Sequence, residues 1–291
     1  MSIRPRRSVL YMPGSNARAL EKAKTLPADA LILDLEDAVA PDSKEIARAQ
    51  VCAAVAAGGY GRRELVIRVN GPATPWGQED LAAAAKAGPD AVLIPKVSTP
   101  GDVMMAARGL REAGAPEKTR IWAMMETPHA ILNADSIVRT ALDPQSRLAV
   151  LVMGTNDIAK ETRARLVPGR APMLAYLSIC VAAARAYGVD IVDGVYNALS
   201  DMEGFEAECR QGLDLGMDGK TLIHPNQCGP ANTIFAPTPT EVEWGKKIIA
   251  AFDLPENASR GALQLDGKMV ERLHAEMARR TVAIAQAIAA E

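Results

Sequence analysis

Eight short apolar runs, the first seven each followed by a helical pattern, govern what this chain can fold into. The runs cover 8–11, 30–35, 64–69, 91–97, 120–125, 147–153, 190–193 and 220–223. They are bounded by Gly, Pro or polar residues and are apolar along their length, as strands buried on both faces are. Helical segments at 17–26, 44–57, 79–87, 101–113, 130–139, 172–186 and 203–215 lie between or after them. Strand–helix alternation at this spacing calls for parallel strands joined by right-handed crossovers. Eight such units predict an α/β fold, a (β/α)8 TIM barrel. A doubly wound open sheet is the structural alternative, but Met12-Pro-Gly-Ser-Asn16 lacks the glycines of a dinucleotide turn and the Lys of a P-loop.

The alternation stops after Pro225. A Pro/Thr connector at 235–240, helical patterns at 241–252 and 268–287, and a loop at 255–261 form a tail. The expected organisation is a barrel domain over 1–235 and a C-terminal helical arm or lid over 236–291.

Two of the runs end in a carboxylate. Arg120–Met125 leads into Glu126, and the run ending at Met153-Gly154 leads into Asp157. Ligands of α/β folds sit at the carboxyl ends of strands. Two carboxylates on successive strand ends suit a hard cation such as Mg²⁺, which takes one or two carboxylates plus water and substrate oxygens. The competing reading makes both residues helix caps. Other polar strand ends converge on the same rim: Asp34, Glu36 and Asp37 after the second run, Arg68 and Asn70 after the third, Lys96 after the fourth, His224 after the eighth. Arg68 offers a planar fork for a carboxylate or carbonyl substrate, unless Asp34 or Asp37 neutralises it structurally. His224, before Pro225, reads as a structural histidine. Lys96 is placed for Schiff-base chemistry, yet its acidic surroundings would keep it protonated. Met124 and Met125 read as core.

Composition excludes several partners. With 33 basic and 35 acidic residues the net charge is −2, and aromatics are 4%. No basic excess or stacking surface points to nucleic acid, and no apolar run is long enough to span a membrane. Four cysteines without a C-x-x-C pair read as reduced, buried thiols, and the basic N-terminus leads into no signal-peptide core. A cytoplasmic protein is expected.

Six motifs in order then carry a resemblance that covers nearly the whole chain. They are Arg7-Ser-Val-Leu-Tyr-Met-Pro-Gly14, Leu33-Asp-Leu-Glu-Asp-Ala-Val-Ala40, Ile67-Arg-Val-Asn70, Met125-Glu-Thr-Pro128, Gly154-Thr-Asn-Asp157 and Lys220-Thr-Leu-Ile-His-Pro-Asn-Gln227. Together they resemble the citrate lyase β-subunit-like family of HpcH/HpaI aldolases, which includes malyl-CoA and citramalyl-CoA lyases and malyl-CoA thioesterases. The resemblance implies a Mg²⁺ cofactor held by Glu126 and Asp157, with Arg68 on a substrate oxygen. It also implies Tyr11, Arg18 and Lys22 near the CoA, and contacts to CoA or acyl group around Thr221 and Leu222. A homotrimer or hexamer is implied, with the arm reaching a neighbouring active site.

Lyases of that family carry a catalytic Asp on the arm in a Gly-x-Met-Ile/Val-Asp context. This chain reads Gly267-Lys-Met-Val-Glu271. Glu271 is the expected base, with Asp266 as second candidate and Glu36 and Asp37 as further catalytic acids on the rim. The expected activity is a Mg²⁺-dependent C–C lyase that cleaves malyl-CoA or citramalyl-CoA to acetyl-CoA and glyoxylate or pyruvate. A malyl-CoA thioesterase, a citrate lyase β subunit and a non-catalytic CoA-ester binding protein are the alternatives.

Overall fold

The computed structural model describes residues 3–290. Their contacts divide them into two compact units, Arg6–Asn232 and the residues before Arg6 together with those from Thr233 on.

The larger unit is a closed barrel of eight parallel strands in sequential order. The strands are β1 (Ser8–Pro13), β2 (Ala30–Asp34), β3 (Glu64–Arg68), β4 (Ala91–Ile94), β5 (Arg120–Met125), β6 (Leu148–Met153), β7 (Asp190–Asp193) and β8 (Gly219–Leu222). β8 returns to β1 with Ser8 opposite Lys220. The helices are α1 (Ala17–Lys22), α2 (Lys44–Ala57), α3 (Gly77–Ala87), α4 (Pro100–Glu112), α5 (Pro128–Leu132), α6 (Ala134–Arg139), α7 (Thr155–Thr162), α8 (Leu174–Ala186), α9 (Met202–Asp214) and α10 (Cys228–Ile234). The division between the two units falls inside α10.

Alternation along the strands fills the barrel. Val9, Ala30, Ile32, Val66, Ala91, Leu93, Trp122, Met124, Val150, Val152 and Val192 form one buried cluster. Stepping two residues at a time along these strands carries the same inward direction to Asp34, Arg68, Glu126 and Gly154 at the carboxyl rim. At the opposite end Arg6 bonds both oxygens of Glu64 at 2.7 and 2.9 Å, pairs with Asp190, and stacks over Trp122 at 5.4 Å.

Several expected elements change for identifiable reasons. β4 stops at Ile94 rather than continuing to Val97, and Lys96 takes a left-handed backbone with φ +54°. The helix expected over 130–139 is broken at Asn133, which closes α5, opens α6 and donates its side-chain amide to the Ser98 carbonyl at 2.9 Å. α7 and α10 had no apolar periodicity strong enough to mark them.

The smaller unit holds α11 (Pro239–Asp253), an antiparallel hairpin of β9 (Ala262–Leu265) and β10 (Lys268–Glu271), and α12 (Arg272–Ala289). The hairpin corrects the expected helix over 268–287, whose first four residues are strand. Asp266 at φ +48° and Gly267 at φ +78° form its two-residue turn. Asp-Gly is the sequence signature of that turn, because both positions need positive φ. Ile248, Phe252, Leu263, Val270, Ala275 and Ala278 are its core. In the Pro/Thr connector, Thr238 and Glu241 close a capping box on α11.

Cys180, Cys209 and Cys228 are buried, Cys52 is half-buried, and all four are free. Among the described residues no helix is long and apolar enough to cross a membrane.

Barrel closure depends on Gly219. A Cβ there would lie 1.8 Å from the Arg6 carbonyl oxygen, a backbone atom that cannot yield without opening the β8–β1 seam. Gly219→Ala should cost several kcal/mol, on the order of 3. Gly261→Ala, which meets open space, should stay within about 0.5 kcal/mol. Denaturant melts of both variants check this.

Candidate active site

Arg68 anchors the rim. It stands opposite Asp34 in the β2–β3 register. Its Nε and Nη2 donate to the two Asp34 oxygens, each at 2.6 Å. The Asp34 carboxylate also accepts from the backbone N–H of Glu36 at 2.9 Å and of Ala38 at 3.0 Å. One buried side chain thereby orients the arginine and shapes the loop that bears Glu36 and Asp37. The remaining nitrogen, Nη1, lies 2.9 Å from Glu36 Oε2, 3.3 Å from Asp37 Oδ2 and 3.7 Å from Met124 Sδ. The guanidinium stacks over Tyr11 at 4.8 Å. Burial works against its charge, but Tyr11, Asp34 and Glu36 outweigh burial and hold its pKa above the usual value.

Neither metal-candidate carboxylate is a helix cap. Thr127 caps α5 through its hydroxyl, and Gly154 precedes α7. Glu126 is 1% exposed and accepts the Lys96 N–H at 2.7 Å. A Cβ at Gly154 would fall 2.3 Å from Glu126 Cβ and 2.6 Å from its Oε2, so the glycine makes the space that Glu126 occupies. Burial first, and Glu36 second, push the Glu126 carboxyl up to about 7, against the pull of Lys96. Burial likewise raises Glu36 despite Arg68. Glu36 Oε2 is buried and, although within ion-pair distance of Arg68, is out of line for a hydrogen bond. Lys96 Nζ stands 3.6 Å from Asp157, 3.6 Å from Glu36 and 4.0 Å from Glu126.

The rim opens on a cavity of about 310 Å³, with Lys96 and Glu36 outside its lining. Tyr11, Asp37, Arg68, Glu126, Asp157 and Thr221, all expected from the sequence, line it. Glu36 stands behind Arg68. Leu222 is fully buried and is not in the lining; Arg18 and Lys22 are exposed on α1. Glu271 lies in the smaller unit as the N-cap of α12, its backbone N–H donating to His274 Nδ1 at 2.9 Å. His224 has a structural role, accepting from the Asn226 N–H at 3.2 Å. Asn70 is also structural: it bonds Asp80, Lys44 and the Leu35 carbonyl behind the rim. Lys96 stays protonated, its carboxylate neighbours outweighing burial.

The lining also holds Asn156 and Asn197, which exchange side-chain hydrogen bonds at 2.8 and 3.3 Å. Asn156 sits inside the Gly-Thr-Asn-Asp motif, but nothing in the local sequence marks Asn197. Its loop leaves β7 at Asp193, a fully buried carboxylate that accepts from Arg170 at 2.7 and 2.8 Å and from Lys220 at 3.1 Å. Burial would raise Asp193, but Lys220 and Arg170 prevail and hold it below the usual range.

The donor chemistry suits a magnesium ion. Glu126, next after β5, and Asp157, in the first turn of α7, offer hard oxygens, and the space at Gly154 is shaped around Glu126. Among the described residues no three His, Cys, Asp or Glu side chains form a ready-made cage, whereas Mg²⁺ needs only one or two carboxylates and keeps waters.

Residues 7–225 match the model of the HpcH/HpaI aldolase/citrate lyase family. The chain belongs to that family. Its relatives include a (3S)-malyl-CoA thioesterase of Cereibacter sphaeroides, 52% identical over 98% of this chain and 96% of the relative. The citrate lyase subunit beta of Escherichia coli is 33% identical over 92% of this chain and 89% of its own length. Solved structures share the fold over nearly all of the chain. CitE of Mycobacterium tuberculosis, solved with magnesium, acetoacetate and coenzyme A, is 26% identical with a TM-score of 0.76, covering 97% of this chain and 98% of that one. A citrate lyase of Burkholderia xenovorans, at 18% identity and a TM-score of 0.83, shares the fold over 99% of this chain and 93% of its own.

The raised Glu126 pKa has a consequence for stability. The unfolded chain releases this proton in the ordinary carboxylate range, and the folded chain near 7. The folded state therefore loses stability as pH rises between those values and levels off above. Without divalent metal, Glu126→Gln should be more stable than the parent at pH 8 by roughly 2 kcal/mol, with the gap closing toward pH 5. Thermal melts at the two pH values in chelator check this; a variant less stable at both would refute it.

Proposed function

We propose that this protein hydrolyses the thioester of a malyl-CoA-class substrate, with Mg²⁺ held by Glu126 and Asp157. The observation that carries the reading is the 52% identity, over 98% of the chain, to a (3S)-malyl-CoA thioesterase. The rim supports it chemically. The cavity of about 310 Å³ lies at the small end of ligand pockets; it suits a short hydroxy-dicarboxylic acyl group and leaves the nucleotide outside. Arg18 and Lys22, one turn apart and exposed on α1, offer cations for the CoA phosphates. Magnesium bound between the two carboxylates would hold and polarise the hydroxy-carboxylate end of the substrate.

The chain's own groups then divide the work. Arg68, fixed by Asp34, presents Nη1 to the thioester carbonyl and stabilises the charge that develops on its oxygen. Asp37, exposed and lining the cavity, takes the proton of the attacking water. The C–O bond forms, the C–S bond breaks, and the thiolate leaves as CoA. Glu36 balances Arg68 and Lys96 from behind.

A second reading is C–C cleavage, favoured by the 33% identity to a citrate lyase subunit beta. There Glu271 removes the hydroxyl proton, the bond between the hydroxyl-bearing carbon and its neighbour breaks, and an acetyl-CoA enolate is released and protonated. Assembly as a trimer or hexamer belongs to the same family reading. The exposed Leu273 and Met277, four residues apart on α12, with Met269 exposed on β10, support it as apolar surface in need of cover.

A product assay with (3S)-malyl-CoA and citramalyl-CoA separates the readings. Hydrolysis yields free CoA and malate or citramalate; cleavage yields acetyl-CoA with glyoxylate or pyruvate. Free CoA with intact hydroxy acid is expected, and Glu271→Ala should leave that rate within a few-fold. Keto acid as the main product, abolished about 10²–10⁴-fold by Glu271→Ala, would establish the lyase reading instead.

A further inference from the structure

The rim already contains a cation. Lys96 Nζ lies 3.6 Å from Asp157 Oδ1, 3.6 Å from Glu36 Oε1 and 4.0 Å from Glu126 Oε1. All three are ion-pair distances and all exceed a hydrogen bond. The ammonium therefore sits among three carboxylates without committing to any of them.

The backbone is bent to put it there. Lys96 has φ +54°, a region that residues with a Cβ seldom enter and that Gly or Asn would adopt at less cost. The same residue's N–H donates to Glu126 Oε1 at 2.7 Å. A left-handed backbone at a residue with a Cβ costs energy and persists only where the surrounding contacts hold it. The Lys96 side chain is 46% exposed, so it has room to leave.

We propose that Lys96 is a resident counter-ion of the carboxylate rim, and that a divalent cation entering between Glu126 and Asp157 must displace it. The inference rests on the metal reading above. Two cations within about 4 Å of the same pair of oxygens repel strongly at a half-buried site. Glu36, which is not among the metal ligands proposed and lies 3.6 Å from the ammonium, remains a partner for it after displacement. Lys96 thus sets the affinity of the site: it lowers the electrostatic cost of gathering three carboxylates and weakens metal binding by the same competition.

Magnesium titrations by calorimetry at pH 8, on the full-length protein, test this with Lys96→Met, Lys96→Gly and Lys96→Arg. Met removes the charge and keeps the strained backbone; Gly removes both; Arg keeps the charge. Met and Gly should bind Mg²⁺ about tenfold or more tighter than the parent, and Arg should match the parent. In chelator, Lys96→Met should melt below the parent, and saturating Mg²⁺ should raise its midpoint more than the parent's. If Lys96→Met folds only with metal, its midpoint as a function of Mg²⁺ concentration gives the affinity by linkage. Equal or weaker Mg²⁺ binding by Lys96→Met, beside a parent that does bind, overturns the inference alone. A parent that shows neither heat nor a midpoint shift overturns the metal reading and this inference with it.

Discussion

A single ion pair between neighbouring strand ends organises the site. Arg68 and Asp34 meet in register, and their bidentate bond lies almost wholly out of water, with the two side chains 7% and 1% exposed. A buried pair of this kind is worth keeping only when every remaining polar atom is satisfied. Here Asp34 spends its remaining capacity on the N–H groups of Glu36 and Ala38. The arginine's position and the loop's conformation are consequently one arrangement. Loss of Asp34 would strand a guanidinium in the barrel and release the loop that carries two more acids.

The rest of the rim follows from charge balance around that pair. Glu36 and Glu126 crowd one side beside Asp157, and burial pushes both glutamates toward the protonated form. Lys96 and Arg68 hold part of the negative charge in place, while Glu126, pushed up to about 7, sits close to the point of losing its own. A divalent cation bound there would have to displace that proton, so its affinity should rise with pH through this range. Asp37 stands exposed beside the well-buried Glu36.

Most of the barrel was legible in the chain because its signal is local. Asp34, Arg68 and Glu126 can be placed on the inner rim by counting in twos from Ile32, Val66 and Met124, and the structure keeps that count. What was not legible depends on distant partners. Asn70 looks like another rim residue, yet Lys44 and Asp80 draw it behind the sheet. Lys96 gives no sign in sequence of a left-handed backbone. Asn197 owes its place to Asp193, Arg170 and Lys220, which meet only after folding. The hairpin at 262–271 is a different case: Asp266-Gly267 announces the turn, but Met269 and Val270 also continue the helical pattern of 268–287 that leads into α12. Glu271 thereby moves from the first turn of the expected helix to the junction of strand and helix.

The central claim is that Glu126 and Asp157 share one divalent cation beside Arg68. Anomalous diffraction from crystals soaked with Mn²⁺ in place of Mg²⁺ tests it most directly. The account predicts one strong peak bonded to an oxygen of each carboxylate, with the Lys96 ammonium moved away from both and Arg68 still clamped by Asp34. A peak elsewhere, or no peak with Lys96 left among the three carboxylates at saturating Mn²⁺, would contradict it.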